Sequence, residues 1–163
     1  MDPLDQKILD AAVRRKETTK KLSEAEGEKL LQREVRDRVA SLVSAAPIWQ
    51  KDIQGAAAEC LPVVAKARQT EWAADRDIDR WCLEIESTIN NNLHSLQVGL
   101  DFYRKLSPRD LLDNRGNYNI NAGPNLCNQI GPLLCVGRGS ADSIRETTRR
   151  LLARIAYLEG LRN

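Results

Sequence analysis

The feature that most constrains this chain is a stretch of 44 residues, 63–106, that contains no proline and a single glycine, Gly99. Apolar residues recur along it in steps of three and four, at Ile78, Cys82, Ile85, Ile89, Leu93, Leu96, Leu100 and Tyr103. This spacing predicts one face of an α-helix. An unbroken helix of this length would span about 66 Å. Such a rod has to pack against another long helix, so we expect an elongated bundle of long antiparallel helices.

The N-terminal segment, residues 4–46, predicts a second long helix because no proline follows Pro3 and the apolar positions again step by four and three. Between residues 14 and 29 fewer apolar residues occupy this face, and Gly27 lies within the stretch, but a helix remains the better prediction there. Pro47 follows directly, and Pro62 repeats the interruption fifteen residues later. Because proline fits the first turn of a helix, the segment between them is predicted to be a short helix or a kinked continuation.

Residues 113–140 differ in character, since they collect asparagine, glycine and two prolines. They are predicted to form a linker or an irregular loop. A last amphipathic helix is predicted for residues 141–163, beginning with a capping box of Ser143 and Glu146. The predicted organisation is therefore all-α, with a long-helix bundle over residues 1–112, the loop, and the C-terminal helix.

Composition excludes several classes of protein. Hydrophobic residues make up 42% of the chain, charged residues 29% and aromatic residues 4%, which favours amphipathic helices over an all-β fold. The net charge of +2 gives little attraction to nucleic acid or to an anionic membrane. No run of 18 apolar residues occurs, and the first residues are charged, so we expect a soluble, unsecreted, cytoplasmic protein.

The residues that most often carry chemistry are sparse. The four cysteines form no CxxC pair, which predicts free thiols rather than a zinc site or a disulfide framework; they are Cys60, Cys82, Cys127 and Cys135. His94 is the only histidine, and the residues one turn away, Asn90 and Val98, offer no strong metal ligand. Glu84 and Glu86 are two positions apart and point to different helix faces. We predict no catalytic residues, no metal, no cofactor and no enzymatic activity.

Four arginines cluster on the last predicted helix: Arg145, Arg149, Arg150 and Arg154. A basic amphipathic helix of this kind can lie on an anionic membrane or on nucleic acid. An exposed face of an internal bundle helix explains the same pattern and is favoured, because the net charge of the chain is close to zero.

One segment resembles a known family. In residues 71–112, leucines and asparagines precede Gly99-Leu100-Asp101-Phe102-Tyr103-Arg104-Lys105-Leu106. This pattern resembles the closing long helix of the V domain in ALIX-like Bro-domain adaptors, and residues 29–68 resemble the charged helix that pairs with it. The resemblance implies two arms of long helices that bind short Tyr-Pro-x-Leu peptides in endosomal sorting and viral budding. It also implies that Phe102 is the aromatic residue lining the peptide pocket.

The predicted peptide-binding residues are Phe102, Gly99 and Leu106. Phe102 follows Gly99 by three positions, and a residue with no side chain can leave a groove beside an aromatic ring. The glycine can instead allow a close helix crossing.

The predicted function is a non-enzymatic protein–protein adaptor of endosomal sorting that binds protein or short-peptide partners, in the cytoplasm and on endosomes. The alternative is a structural coiled-coil subunit of a cytoskeletal or tethering assembly, in which the same apolar faces are partner interfaces. Two further options stay open: a homodimer, and contact of the last helix with nucleic acid or a membrane. No small-molecule substrate is expected.

Overall fold

A computed structural model of the chain describes residues 2–19 and 21–162, with the side chains of all of these except residues 13–19. The fold is an all-α bundle, as predicted. The described ranges contain six α-helices: α1 (Pro3–Thr19), α2 (Glu24–Leu31), α3 (Asp37–Gln69), α4 (Arg76–Arg104), α5 (Ala122–Cys135) and α6 (Ser140–Arg162).

Two shorter elements lie between these helices. A π-helical turn, Gln32–Arg36, joins α2 to α3, and a 3₁₀ turn, Pro108–Leu111, follows α4. In the same ranges the β-pairing is limited to one isolated antiparallel bridge between Leu112 and Tyr118. None of the helices found there is both long enough and apolar enough to cross a membrane.

The chain forms two compact units, each assembled from two separate stretches of sequence. Unit 1 comprises Met1–Ser41 and Asp101–Gly131, and unit 2 comprises Leu42–Leu100 and Pro132–Asn163. The buried side chains of unit 1 include Leu31, Val35, Val39, Leu106, Leu111, Leu126 and Ile130. Those of unit 2 include Ile53, Val64, Ile78, Cys82, Ile85, Leu96, Leu134, Ile144 and Leu151. The predicted boundaries at 112 and 140 instead divide the chain in sequence order.

The apolar face predicted on α4 is confirmed at most of its positions. Buried residues follow it along the helix: Ile78, Cys82, Ile85, Ile89, Leu96 and Leu100. Leu93 and Tyr103 are half-buried. Steps of three and four therefore identified the side of α4 that packs inward.

The prediction of one unbroken helix over residues 63–106 is wrong, because residues 70–75 separate α3 from α4. The hydroxyl of Thr70 donates a hydrogen bond to the carbonyl of Ala67 at 2.7 Å. On the other side, Oδ1 of Asp75 accepts hydrogen bonds from the backbone N–H groups of Asp77 and Ile78, both at 3.1 Å. A carboxylate in this position caps a helix N-terminus, so α4 begins afresh after Asp75.

Pro47 and Pro62 do not interrupt α3, which continues from residue 37 to residue 69. Of the two structures predicted for the segment between them, the helical continuation is therefore the one found. Both prolines are exposed. A proline on the solvent side of a helix lets water satisfy the carbonyl that loses its intrahelical donor, which reduces the cost of the interruption.

The prediction of a loop over residues 113–140 is wrong for residues 122–135, which form α5. Ala122, Leu126, Ile130 and Leu134 are buried at intervals of four, so burial of one helical face outweighs the poor helix propensity of the glycines and prolines. Pro124 lies in the first turn of α5, where a missing N–H costs little.

The predicted helix starts also need correction. Helix α6 begins at Ser140 rather than at a capping box of Ser143 and Glu146, because Gly139 adopts a φ of +70° that turns the chain directly before it. The N-terminal helix predicted over residues 4–46 is interrupted before α2, where the Ser23 hydroxyl accepts the backbone N–H of Glu26 at 3.2 Å and caps a new helix.

Candidate functional site

Of the three residues predicted to form a peptide groove, two are buried and one, Phe102, is half-buried. Gly99 is buried on α4, and a Cβ added there would lie 2.7 Å from Leu134 Cδ2 and 3.1 Å from Leu133 Cβ. The groove predicted beside Gly99 is therefore filled by leucines of α5, and the alternative of a close helix crossing is the one found. Phe102 is half-buried near the end of α4, and Leu106, just beyond it, is buried.

Hydrogen bonds hold this crossing together. The Ser95 hydroxyl donates to the carbonyl of Leu133 at 2.8 Å. One turn earlier on α4, the Asn92 side-chain amide donates to the Ser140 hydroxyl, also at 2.8 Å. Small and polar residues on this side of α4 thus allow the helix to pack closely on residues 133–140. This packing leaves no room for a peptide at Gly99.

The arginines predicted as a basic face on α6 are engaged in ion pairs. Arg145 pairs with Glu59 at 2.9 Å and Arg154 with Asp75 at 3.0 Å. Arg149 and Arg150 lie 3.1 and 3.7 Å from Glu146. The hydrogen bond from Arg145 lowers the pKa of Glu59, and that from Arg154 lowers the pKa of Asp75. These pairs neutralise much of the charge that binding to a polyanion would use.

An open groove with two aromatic walls lies between α4 and α6. Its volume is about 460 Å³, and it is lined by Asp77, Trp81, Arg150, Ala153, Arg154 and Tyr157. Tyr157 is 57% exposed, and Trp81 is half-buried. We call this the aromatic groove.

Arginines stack on both rings of the aromatic groove. The guanidinium carbon of Arg154 lies 5.4 Å from the centroid of the Tyr157 ring, and that of Arg80 lies 5.6 Å from the Trp81 ring. Both are cation–π distances. Because Arg154 also donates two hydrogen bonds to Asp75, the position of the Tyr157 ring is tied to the cap of α4.

Local sequence explains why these rings stay accessible. Trp81 lies next to Cys82 and one turn after Ile78, so it is at the edge of the buried face of α4. Tyr157 lies off the apolar face predicted for α6 and points to solvent instead. The sequence reasoning missed this site, although a tyrosine outside the apolar face of an amphipathic helix was a signal that could have found it.

Two other cavities occur within single units. In unit 2, a groove of about 340 Å³ is lined by Glu59, Cys60, Val63, Arg145, Thr148, Arg149 and Leu152. In unit 1, a cavity of about 320 Å³ is lined by Arg33, Glu34, Arg38, Ile120 and Pro124. There the Tyr118 hydroxyl donates to the Glu34 carboxylate, at 2.7 Å from one oxygen and 2.9 Å from the other.

The residues considered for chemistry are dispersed. His94 and Glu84 are exposed, and Glu86 pairs with Arg68, whose hydrogen bond lowers the pKa of that carboxyl group. The four cysteines are free, with Cys60 and Cys82 buried and Cys135 exposed. Among the side chains that the structure describes, those of residues 2–12 and 21–162, no three histidine, cysteine, aspartate or glutamate residues are grouped so that they could hold a metal ion.

No protein-family model, no curated protein and no solved structure matches this chain.

Proposed function

We propose that this chain is a non-enzymatic protein-binding module and that a short segment of its partner occupies the aromatic groove. The observation that supports this function is the pairing of Trp81 and Tyr157 as the accessible walls of one groove. Tryptophan, tyrosine and arginine are the residues that most often dominate the binding energy of protein interfaces.

The surroundings of the two rings favour binding. Arg154 is fixed by Asp75 and stacks on Tyr157, while Arg80 stacks on Trp81 and pairs with Asp77 at 3.2 Å. Because these contacts already restrict the two aromatic side chains, the rings lose less conformational entropy when a partner packs against them. The side chain of Ala153, which also lines the groove, is small and leaves space for an apolar side chain of the partner.

The resemblance to V domains supports a Tyr-Pro-x-Leu peptide as the first ligand to test. Grooves lined by aromatic side chains commonly receive proline-containing segments. A role in endosomal sorting and a location on endosomes belong to this same proposal and depend on binding of such a peptide.

Fluorescence anisotropy with a labelled Tyr-Pro-x-Leu peptide, together with selection from a random peptide library, tests the proposal. For a peptide that binds, Tyr157→Ala should reduce affinity by about 2 kcal/mol, as removal of an interface hot spot does. Leu83→Ala is the matched control, because Leu83 is an exposed apolar residue of α4 that does not line the groove. It should leave affinity unchanged.

Two results would contradict the proposal. One is the absence of any binder in the library. The other is a bound peptide whose affinity is unaffected by both Tyr157→Ala and Trp81→Ala. Loss of binding in Phe102→Ala alone would place the site where the resemblance implies, on the last turn of α4 instead of in the aromatic groove.

A further inference from the structure

Helix α1 presents an apolar face that the described structure leaves uncovered. Leu4 and Ile8, one turn apart, are 62% and 61% exposed. Ala11 and Ala12 extend the same face and are exposed as well. A helix of 17 residues is close to the length at which an isolated helix is only marginally stable in water, so packing of this face on another surface stabilises it.

The charges beside this face differ on its two edges. By the 3.6-residue period, Lys7 lies along one edge of the Leu4 and Ile8 face and Asp5 along the other. Helix α1 as a whole carries three acidic and four basic residues, so the complementarity to the groove lies in the placement of Asp5 and Lys7 beside the apolar face and not in the net charge of the helix.

The aromatic groove offers the complementary arrangement. Its charged lining is Arg150 and Arg154 on α6 and Asp77 on α4, which is two positive charges and one negative. Arg150 is the more available cation. Its side chain is 63% exposed, and its ion-pair contact with Glu146 is 3.7 Å long, which is beyond hydrogen-bonding distance. Arg154, in contrast, is held by Asp75.

We infer that α1 of a second copy of this chain occupies the aromatic groove. Leu4 and Ile8 of that copy pack on Tyr157 and Trp81, Asp5 faces Arg150, and Lys7 faces Asp77. This is the helix-in-groove form of recognition, in which residues one turn apart anchor an amphipathic helix. The inference rests on the proposed function, because it names the partner of the same groove.

The mode of exchange decides the size of the assembly. If each copy places α1 in the groove of the other, the result is a closed dimer, whereas one-way insertion produces longer chains. Both forms associate in a concentration-dependent way.

Sedimentation equilibrium of the full chain, from micromolar to millimolar concentration, measures the association. The Tyr157→Ala variant and the double variant Leu4→Asp with Ile8→Asp should each weaken it by roughly 30-fold or more, the effect of losing a hot-spot contact. All three side chains are largely exposed, so helicity by circular dichroism should be unchanged in these variants.

A mixing experiment tests the pairing directly. The Tyr157→Ala chain retains its α1 face, and the Leu4→Asp, Ile8→Asp chain retains its groove. Each variant alone should be monomeric, whereas an equimolar mixture should form a heterodimer through the one intact pair of surfaces.

Charge reversal tests the orientation. Asp5→Arg and Arg150→Glu should each weaken association, and the double variant should restore it. Asp10→Arg is the matched control, because the helical period places Asp10 about 120° from Leu4 and about 160° from Ile8 around α1, outside the face that these two residues form. It makes the same change in charge and should have little effect.

The outcomes separate this inference from the proposed function. A wild-type chain that stays monomeric at millimolar concentration, while still binding a peptide in a Tyr157-dependent way, overturns the inference alone. Association that is unaffected by Tyr157→Ala overturns it too. If neither peptide binding nor self-association depends on Tyr157 and Trp81, both the inference and the proposed function are wrong.

Discussion

Replacement of Gly99 by alanine should destabilise the protein, because this glycine lies against Leu133 and Leu134 of α5. The new methyl carbon would lie 2.7 Å from Leu134 Cδ2 and 3.1 Å from both Leu133 Cβ and Leu134 Cγ. Favourable carbon–carbon contacts lie at about 3.5 to 4.0 Å. Leu134 has no exposed surface, so it cannot relieve the overlap by turning toward solvent.

The magnitude follows from two opposing terms. Overpacking a core by one methyl group costs about 1 to 3 kcal/mol, and the absence of slack around Leu134 favours the upper part of that range. Alanine in a helix interior recovers about 1 kcal/mol relative to glycine. The free energy of unfolding should therefore fall by about 1 to 2 kcal/mol, which lowers the Tm by about 3 to 6 °C for a chain of this size.

Gly55→Ala is the matched control for this measurement. Gly55 lies inside α3, where an added Cβ meets only the Arg145 Nη2 atom, at an ordinary 3.8 Å. This variant gains the same helix propensity without the overlap, so it should be more stable than wild type by up to about 1 kcal/mol. Thermal and urea unfolding followed by circular dichroism measure both. If Gly99→Ala proved as stable as Gly55→Ala, the leucines would not cover Gly99, and the peptide groove predicted there would be open.

Three further outcomes are expected. The hydrogen bond from Arg154 lowers the pKa of Asp75 below its usual 3.8. The charged carboxylate therefore stabilises the fold above that pH and ceases to do so as the pH falls through the lowered pKa. In urea titrations, the stability difference between wild type and Asp75→Asn should be present at neutral pH and should vanish in acid. Tyr118→Phe should cost about 1.5 kcal/mol, the value of a hydrogen bond to a charged group, and Tyr118→Phe combined with Glu34→Gln should cost less than the sum of the two single changes in a double-mutant cycle. All four thiols should react under denaturing, non-reducing conditions, and in the native protein Cys135 should be alkylated before the buried Cys60 and Cys82; fewer than four reactive thiols in denaturant would show a disulfide.

Periodicity predicted the parts of the fold in which burial and helix propensity agree. The inward face of α4 could be predicted because its apolar residues recur at the helical period without competing signals. The break after Gln69 could not be found by searching for glycine or proline, because an aspartate makes it. Asp75 followed by Asp77 and Asp79 is an N-terminal pattern, but the continuing apolar spacing on both sides concealed it.

Helix α5 shows the opposite case. Its glycines and prolines are typical of a loop, while Leu126, Ile130 and Leu134 keep a four-residue spacing that gains free energy only when α5 packs against the rest of the chain. Propensity is a local property and burial is not, so the sequence reasoning chose wrongly there. The same limit applies to the aromatic groove, because Trp81 and Tyr157 are 76 residues apart in the sequence and only the packing of α6 on α4 brings them to one surface.

Because each unit is assembled from two stretches of chain, the unit can fold only after its second stretch has been synthesised on the ribosome. Unit 1 requires residues 101–131 in addition to residues 1–41, so it cannot close until residue 131 has been made. Unit 2 waits for residues 132–163, which include α6. The parts of α3 and α4 that pack on residues 132–163 therefore stay exposed until α6 has been made, and exposed apolar surface during synthesis favours misassembly. Synthesis of α6, rather than of α1, ends the exposure of these faces.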